Sequence, residues 1–183
     1  MKFIETPIKS AYVLKPEPIE DHRGRFCRIF CEEELKKIGL NKKIVQMNHS
    51  ITLKKGTIRG LHFQKPPKSE IKIVKCVKGS VFDVIVDLRR NSSTLFQWYG
   101  TILSSYNIMQ MYVPIGMAHG FQTIEDNSEL IYFHTEYYSS EHERGLRYND
   151  PEINIKWPLR VKDISEKDIN FPFISNSLKW DFF

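Results

Sequence analysis

Turn-forming residues recur every 8–12 positions along most of this chain, and the runs between them are rich in β-branched, aromatic and aliphatic residues. That spacing means an all-β sandwich or barrel, and nothing in the order of elements suggests βαβ units. The plainest run is 81–88, where Phe82, Val84, Val86 and Leu88 alternate with Asp83 and Asp87. Further strands are read at 11–15, 26–30, 44–50, 57–63, 71–77, 97–103, 109–113, 120–124 and 129–135, with a Gly-containing turn at 21–25. One segment, 32–38, reads as a helix. Acidic residues fill its first turn, lysines its last, and Gly39 follows as the C-terminal cap. Beyond Pro158 the pattern is irregular or weakly helical. The aromatic tail 180–183 either packs on a partner subunit or covers the end of the barrel.

The 183 residues fit one domain, expected to span 1–183. A hydrophobic share of 41%, with 12 Phe and 8 Tyr, is enough for a buried core, and no low-complexity tract points to disorder. No apolar run approaches the ~18 residues of a membrane span, and the first residues lack the apolar stretch of a signal peptide. The expected location is the cytoplasm. Cys27, Cys31 and Cys76 form no CxxC pair and read as free thiols. The net charge of +5 arises from scattered Lys and Arg rather than a basic stripe, which argues against extended nucleic-acid binding. Two or three placed cations would still suffice for a pyrophosphate ligand.

Candidate chemistry concentrates in two segments. Gly56-Thr-Ile-Arg59-Gly-Leu-His62-Phe-Gln64 and Glu70-Ile-Lys72 place a His, two cations and a Gln on short strands joined by the Pro66-Pro67 turn. Pro114-Ile-Gly116-Met-Ala-His119 is a second punctuated turn leading into a His. Strand parity sets Lys72 on a face with Val74 and Cys76, while Lys75 and Lys78 read as solvent-facing. The same parity sets Arg59 and His62 on opposite faces, so both reach one pocket only through a bulge or strong curl.

Arg59-Gly-Leu-His62-Phe-Gln64, Gly79-Ser-Val-Phe-Asp-Val-Ile-Val-Asp-Leu-Arg89, Pro114-x-Gly116-x-x-His119-Gly-Phe and Asp150-Pro…Trp157-Pro158 resemble the nucleotide-sugar 3,5-epimerase family, from about residue 11 to 172. The resemblance implies a jelly-roll cupin barrel, a homodimer and cofactor-free acid–base chemistry on a nucleoside-diphosphate 4-keto-6-deoxy sugar. It implies His62 as base, Asp168 of Ser165-Glu-Lys-Asp168 as the carboxylate that orients it, Lys72 as the cation for the enolate oxygen and Tyr132 as proton donor on the opposite sugar face. It further implies substrate contacts from Arg23 (supplied by the partner chain), Arg28, Gln46, Asn48, Arg59, His119, Tyr138, Glu143 and Lys167.

Metal-binding cupins carry an HxH pair where this chain reads His62-Phe-Gln64, and an amide is a poor first-row metal ligand. No metal is therefore expected. His134 shares a strand face with Tyr132 and is read as shaping the pocket. The chain departs from the family at Arg28, where rhamnose-pathway members usually carry Glu. An arginine donates hydrogen bonds where a carboxylate accepts them, so a base other than thymine is one reading and altered contacts to thymine another. A mono-epimerase or a 3,4-ketoisomerase on a GDP-, CDP- or UDP-sugar, and a metal-dependent cupin, are the rival activities.

Overall fold

The computed structural model describes residues 1–176, and the aromatic tail at 180–183 lies outside the described residues. Thirteen strands occupy this stretch: β1 Lys2–Glu5, β2 Tyr12–Lys15, β3 Ile19–Asp21, β4 Gly24–Phe26, β5 Gln46–Thr52, β6 Ile58–Gln64, β7 Lys72–Lys78, β8 Ser80–Asp87, β9 Trp98–Ser104, β10 Gln110–Val113, β11 Met117–Thr123, β12 Ser128–His134 and β13 Glu143–Gly145. They form a six-stranded sheet, β1-β2-β10-β7-β12-β5, a five-stranded sheet, β13-β6-β11-β8-β9, and a small hairpin, β3-β4. Every pairing between these strands is antiparallel. This is the jelly-roll architecture.

Burial explains why the two sheets face each other. Val74, Cys76, Met111 and Leu130 of the larger sheet interlock with Val81, Ile85, Leu103 and Phe121 of the smaller one. Each sheet is also covered on its back. Helix α1, Glu32–Lys36, and the turn after it set Leu35 and Leu40 against Leu14, Ile73, Tyr112 and Phe133. The C-terminal segment lays Leu146, Ile153, Ile155 and Ile174 over Leu61, Val84, Val86 and Ala118. A strand covered on both faces has no solvent side, so the acids of 81–88 do not face water: Asp83 and Asp87 are both fully buried. Asp87 is held by the Arg89 guanidinium and by hydroxyls of Ser92 and Thr94.

Several local expectations shift. The Pro66-Pro67 segment does not close a hairpin, because β6 and β7 belong to different sheets and the connection crosses between them. β11 begins at Met117, so His119 lies inside the strand rather than just ahead of it. Extended structure after the Gly24 turn stops at Phe26, leaving 27–31 irregular. Helix α1 ends at Lys36, and Gly39, with φ of 101°, closes the following turn as the Leu40 N–H reaches the Leu35 carbonyl. Lys75 is not solvent-facing. It is 8% exposed, with Nζ on the Ile108 carbonyl, and burial pushes its ammonium below the usual lysine range.

Candidate active site

Between the sheets, at the end where β6, β7, β11 and β12 open, lies a cavity of about 560 Å³. That volume falls in the ordinary range for a small-molecule site. Its walls have different owners: the smaller sheet supplies Arg59, His62 and His119, and the larger sheet supplies Lys72, Tyr132, His134, Gln46 and Asn48.

Arg59 and His62 share this wall because β6 carries an extra residue relative to β11. His119 stands opposite His62 and Phe121 opposite Arg59, so three steps on β6 match two on β11. Gly60 makes the bulge possible. Its φ is 117°, and a Cβ there would lie 2.6 Å from the Gly120 Cα and 2.8 Å from the His119 carbonyl oxygen. The Arg59 guanidinium is braced by Thr52 Oγ1, 3.0 Å from Nε.

His62 is held from behind. Its Nε2 lies 2.7 Å from Asp168 Oδ1, and Asp168 Oδ2 accepts the Gly60 N–H at 3.0 Å. Asp168 is carried by a single helical turn, α2, Glu166–Ile169, whose N-cap Ser165 accepts the Asp168 N–H. Burial works against ionisation of Asp168, but the bond to His62, its charge and the Gly60 N–H outweigh that, so the carboxyl sits below the usual range. The ionised carboxylate takes the Nε2–H and leaves the Nδ1 lone pair as the basic site of the ring. A second imidazole–carboxylate pair lies one strand away, with His119 Nε2 2.8 Å from Asp83 Oδ2. Asp83 has no exposed surface and its carboxyl is pushed up by burial.

On the opposite wall Tyr132 donates to or accepts from Ser50 Oγ at 3.1 Å, and its phenol is pushed well above the usual range by burial. It therefore stays protonated across the physiological range and is available as an acid. Lys72 lies along the same face, its side chain 11% exposed, with Nζ 3.2 Å from Glu70 Oε1. At the mouth, Glu143 accepts from Tyr138 Oη at 2.8 Å and from Lys167 Nζ at 2.6 Å.

The cavity thus gathers His62, Lys72, Tyr132, Asp168, Gln46, Asn48, Arg59, His119, Tyr138, Glu143 and Lys167. Arg23 and Arg28 do not line it: Arg23 is paired with Asp21 and Arg28 with Glu34. Sequence reasoning overlooked Asp83, Ser50 and the part played by Glu70. A carboxylate in an apolar strand needs a partner, which marks Asp83 in hindsight. Glu70 was legible by parity with Lys72. Gln64, the residue in place of a second ligand His, is buried and bonded to main chain, donating to the Lys68 and Tyr137 carbonyls and accepting the Ser139 N–H. Among the described residues no group of three or more His, Cys, Asp or Glu is arranged to hold a metal ion.

An imidazole paired with a carboxylate on one wall, with a phenol and an ammonium on the other, is the set of groups that an acid–base isomerisation uses, here on a jelly-roll scaffold. Comparison with known proteins makes the class specific. Residues 5–176 match the family model described as dTDP-4-dehydrorhamnose 3,5-epimerase. The dTDP-4-dehydrorhamnose 3,5-epimerase of Shigella flexneri is 40% identical over 171 residues, covering 93% of this chain and 94% of its own. The Bacillus anthracis enzyme of that name, solved with TDP and PPi bound, superposes with a TM-score of 0.91 at 42% identity, covering 94% of this chain and 99% of its own. A Legionella pneumophila dTDP-6-deoxy-D-glucose-3,5-epimerase in complex with dTDP-4-keto-L-rhamnose superposes at 0.90 with 36% identity, covering 96% and 93%. The chain belongs to the dTDP-4-dehydrorhamnose 3,5-epimerase family, whose members are carbohydrate epimerases of the isomerase class.

Proposed function

We propose that this protein epimerises a dTDP-4-keto-6-deoxy sugar at C3 and C5, as a dTDP-4-dehydrorhamnose 3,5-epimerase. The observation that carries the reading is the opposition of His62, backed by Asp168, to Tyr132 and Lys72 across one cavity. The 4-keto group acidifies the neighbouring C–H bonds. His62 Nδ1 takes the proton, and the electron pair moves into the C–C–O system as an enolate whose oxygen the Lys72 ammonium stabilises. One such placed donor is typically worth about 10²–10³ in rate. Tyr132 then delivers a proton to the carbon from the other face, inverting it. The phenolate left behind accepts a hydrogen bond from Ser50 and is unfavourable enough in its buried setting to be promptly reprotonated. Tyr138, Glu143 and Lys167 at the mouth, with Arg59, Gln46 and Asn48 inside, suit the nucleotide: an aromatic face for the base and cations for the diphosphate.

We further propose a homodimer in which the β3-β4 hairpin, with Arg23, reaches the partner's cavity. In support, Ile19 and Phe26 on that hairpin are 73% and 74% exposed, and edge strand β5 and the residue after it expose Met47, Ile51 and Leu53. Sedimentation should give twice the chain mass, and a monomer at micromolar concentration would overturn this. A reducing, cytosolic setting and a role in deoxysugar supply for surface polysaccharide fit the free Cys27, Cys31 and Cys76 and the substrate class.

The deciding experiment is incubation with 4-keto sugar nucleotides in D₂O, read by NMR. Deuterium at both C3 and C5 of the dTDP sugar is expected, and His62→Ala should abolish both while leaving nucleotide affinity nearly intact. Label at one carbon would make the protein a mono-epimerase, and label at neither would defeat the reading. Titration with dTDP, GDP, CDP and UDP should rank dTDP first. Preference for another base would instead support the altered-base reading of Arg28.

A further inference from the structure

The inner face of the larger sheet holds a directional hydrogen-bond chain, two members of which, His134 and Glu70, have no part in the steps above. Gln46 Nε2 donates to Asn48 Oδ1 at 3.2 Å, and Asn48 Nδ2 lies 3.3 Å from His134 Nε2. His134 Nδ1 lies 2.7 Å from Glu70 Oε2, and Glu70 Oε1 lies 3.2 Å from Lys72 Nζ. The polarity is fixed from one end. Asn48 Oδ1 is engaged by Gln46, so the amide nitrogen faces His134, Nε2 accepts, and the Nδ1–H donates to Glu70. Sheet register builds the row, since His134 stands opposite both Lys72 on β7 and Gln46 on β5.

The side chains of Glu70, His134 and Lys72 are only 7%, 10% and 11% exposed, yet all three line the cavity. A carboxylate buried this deeply would ordinarily take up a proton. Burial pushes Glu70 that way, but Lys72 and His134 outweigh it and hold the carboxyl below its usual range. Other groups share the cavity with Lys72. From β12 they are His134 and Tyr132, β10 sets apolar Val113 beside it, and the opposite sheet presents Arg59, His62 and His119 across the cavity.

We propose that Glu70 and His134 are a positioning pair for Lys72: the imidazole fixes the carboxylate, and the carboxylate pairs with the ammonium and aims it into the cavity. The inference rests on the reading of Lys72 as the cation that meets the enolate oxygen. Because the ammonium is paired and aimed before substrate arrives, it need not reorganise when negative charge develops, which is the condition for preorganised stabilisation.

The test begins without substrate. Acetic anhydride labelling of Lys72 across a pH series, read by peptide mass spectrometry, reports when its amine loses its proton. In Glu70→Gln, the pH of half-maximal reactivity should fall by at least about one unit, making Lys72 about tenfold more reactive near neutrality. His134→Ala should move it the same way by less, and His134→Gln, which can still donate to Glu70, should stay near the unaltered protein. In the exchange assay the alkaline limb of kcat should move down with the labelling curve in Glu70→Gln while KM stays within about twofold. An unchanged labelling curve, or a uniform loss of kcat with the pH profile in place, would overturn the proposal. Failure of the unaltered protein to exchange any proton would count against the proposed function, whereas the labelling curve tests the pairing in either case.

Discussion

Asp168→Asn is a demanding test of how the tautomer of His62, the proposed base, is set, because the substitution keeps the shape and changes only what the site donates. Asp168 Oδ2 is bound to the Gly60 N–H and Oδ1 to His62 Nε2. An asparagine must keep its carbonyl oxygen on the Gly60 N–H, since a buried N–H without an acceptor costs about 1–3 kcal/mol. Its NH₂ then faces His62 and turns Nε2 into an acceptor. The ring proton moves to Nδ1, the nitrogen required to take the substrate's proton. General bases contribute about 10²–10⁴ in rate, and a misassigned tautomer in a comparable carboxylate–imidazole pair costs about 10⁴. Exchange at C3 and C5 should therefore fall by about 10²–10⁴, which is about 3–5 kcal/mol of barrier. Asp168→Ala should be less stable than Asp168→Asn, because the Gly60 N–H loses its acceptor, yet exchange faster, because Nε2 is no longer forced to accept. Initial rates of deuterium incorporation by NMR, set beside thermal melts, would measure both. An Asn variant within about threefold of the unaltered protein would refute the tautomer argument. The pH sign follows from the depressed carboxyl: Asp168 stabilises the fold above its unfolded value of ~3.9, and that contribution is lost as pH falls through the lower folded value. The Asn variant should therefore lose less stability than the unaltered protein on acidification below about pH 4.

Tyr132→Phe should still permit exchange but impair inversion, since protons could return only on the face they left; an NMR time course showing normal inversion would point to another donor. Gly60→Ala should cost more than the ~1–2 kcal/mol of a left-handed residue, because the new methyl also meets Gly120 and the His119 carbonyl, and chemical denaturation would measure it. Lys75→Met should leave the melting temperature unchanged or higher, since it removes a buried ammonium whose recorded hydrogen bond is to one carbonyl; a fall of several degrees would show that the charge is stabilising.

How much of this was legible in the chain depended on whether the signal was local. Strand spacing and turn residues announced an all-β fold, and parity put Lys72 inward. Parity failed where both faces are covered, as at Lys75 and Asp83, because alternation tells which residues share a face but not what lies beyond it. At Arg59 and His62 it held in its consequence: alternation required a bulge or curl for both to reach one pocket, and a bulge is what joins them. The partnerships of Asp168 with His62 and of Asp83 with His119 span 106 and 36 residues. No short-range pattern could specify them; the first was anticipated only through the family resemblance, and the second not at all. The strands β1 and β13, both short and at sheet edges, went unread because four or three residues carry too little periodicity to register.

The uneven matching of β6 to β11 makes backbone pairing, rather than side-chain identity, the setting that decides where a guanidinium looks. If the three steps from Arg59 to His62 were paired one for one with β11, nearly every functional group would be preserved and yet Arg59 would turn to the back of its wall. A homologue that kept both residues three positions apart but carried a side chain at Gly60 would score as almost unchanged in a position-by-position comparison while losing the bulge that brings the cation into its interior.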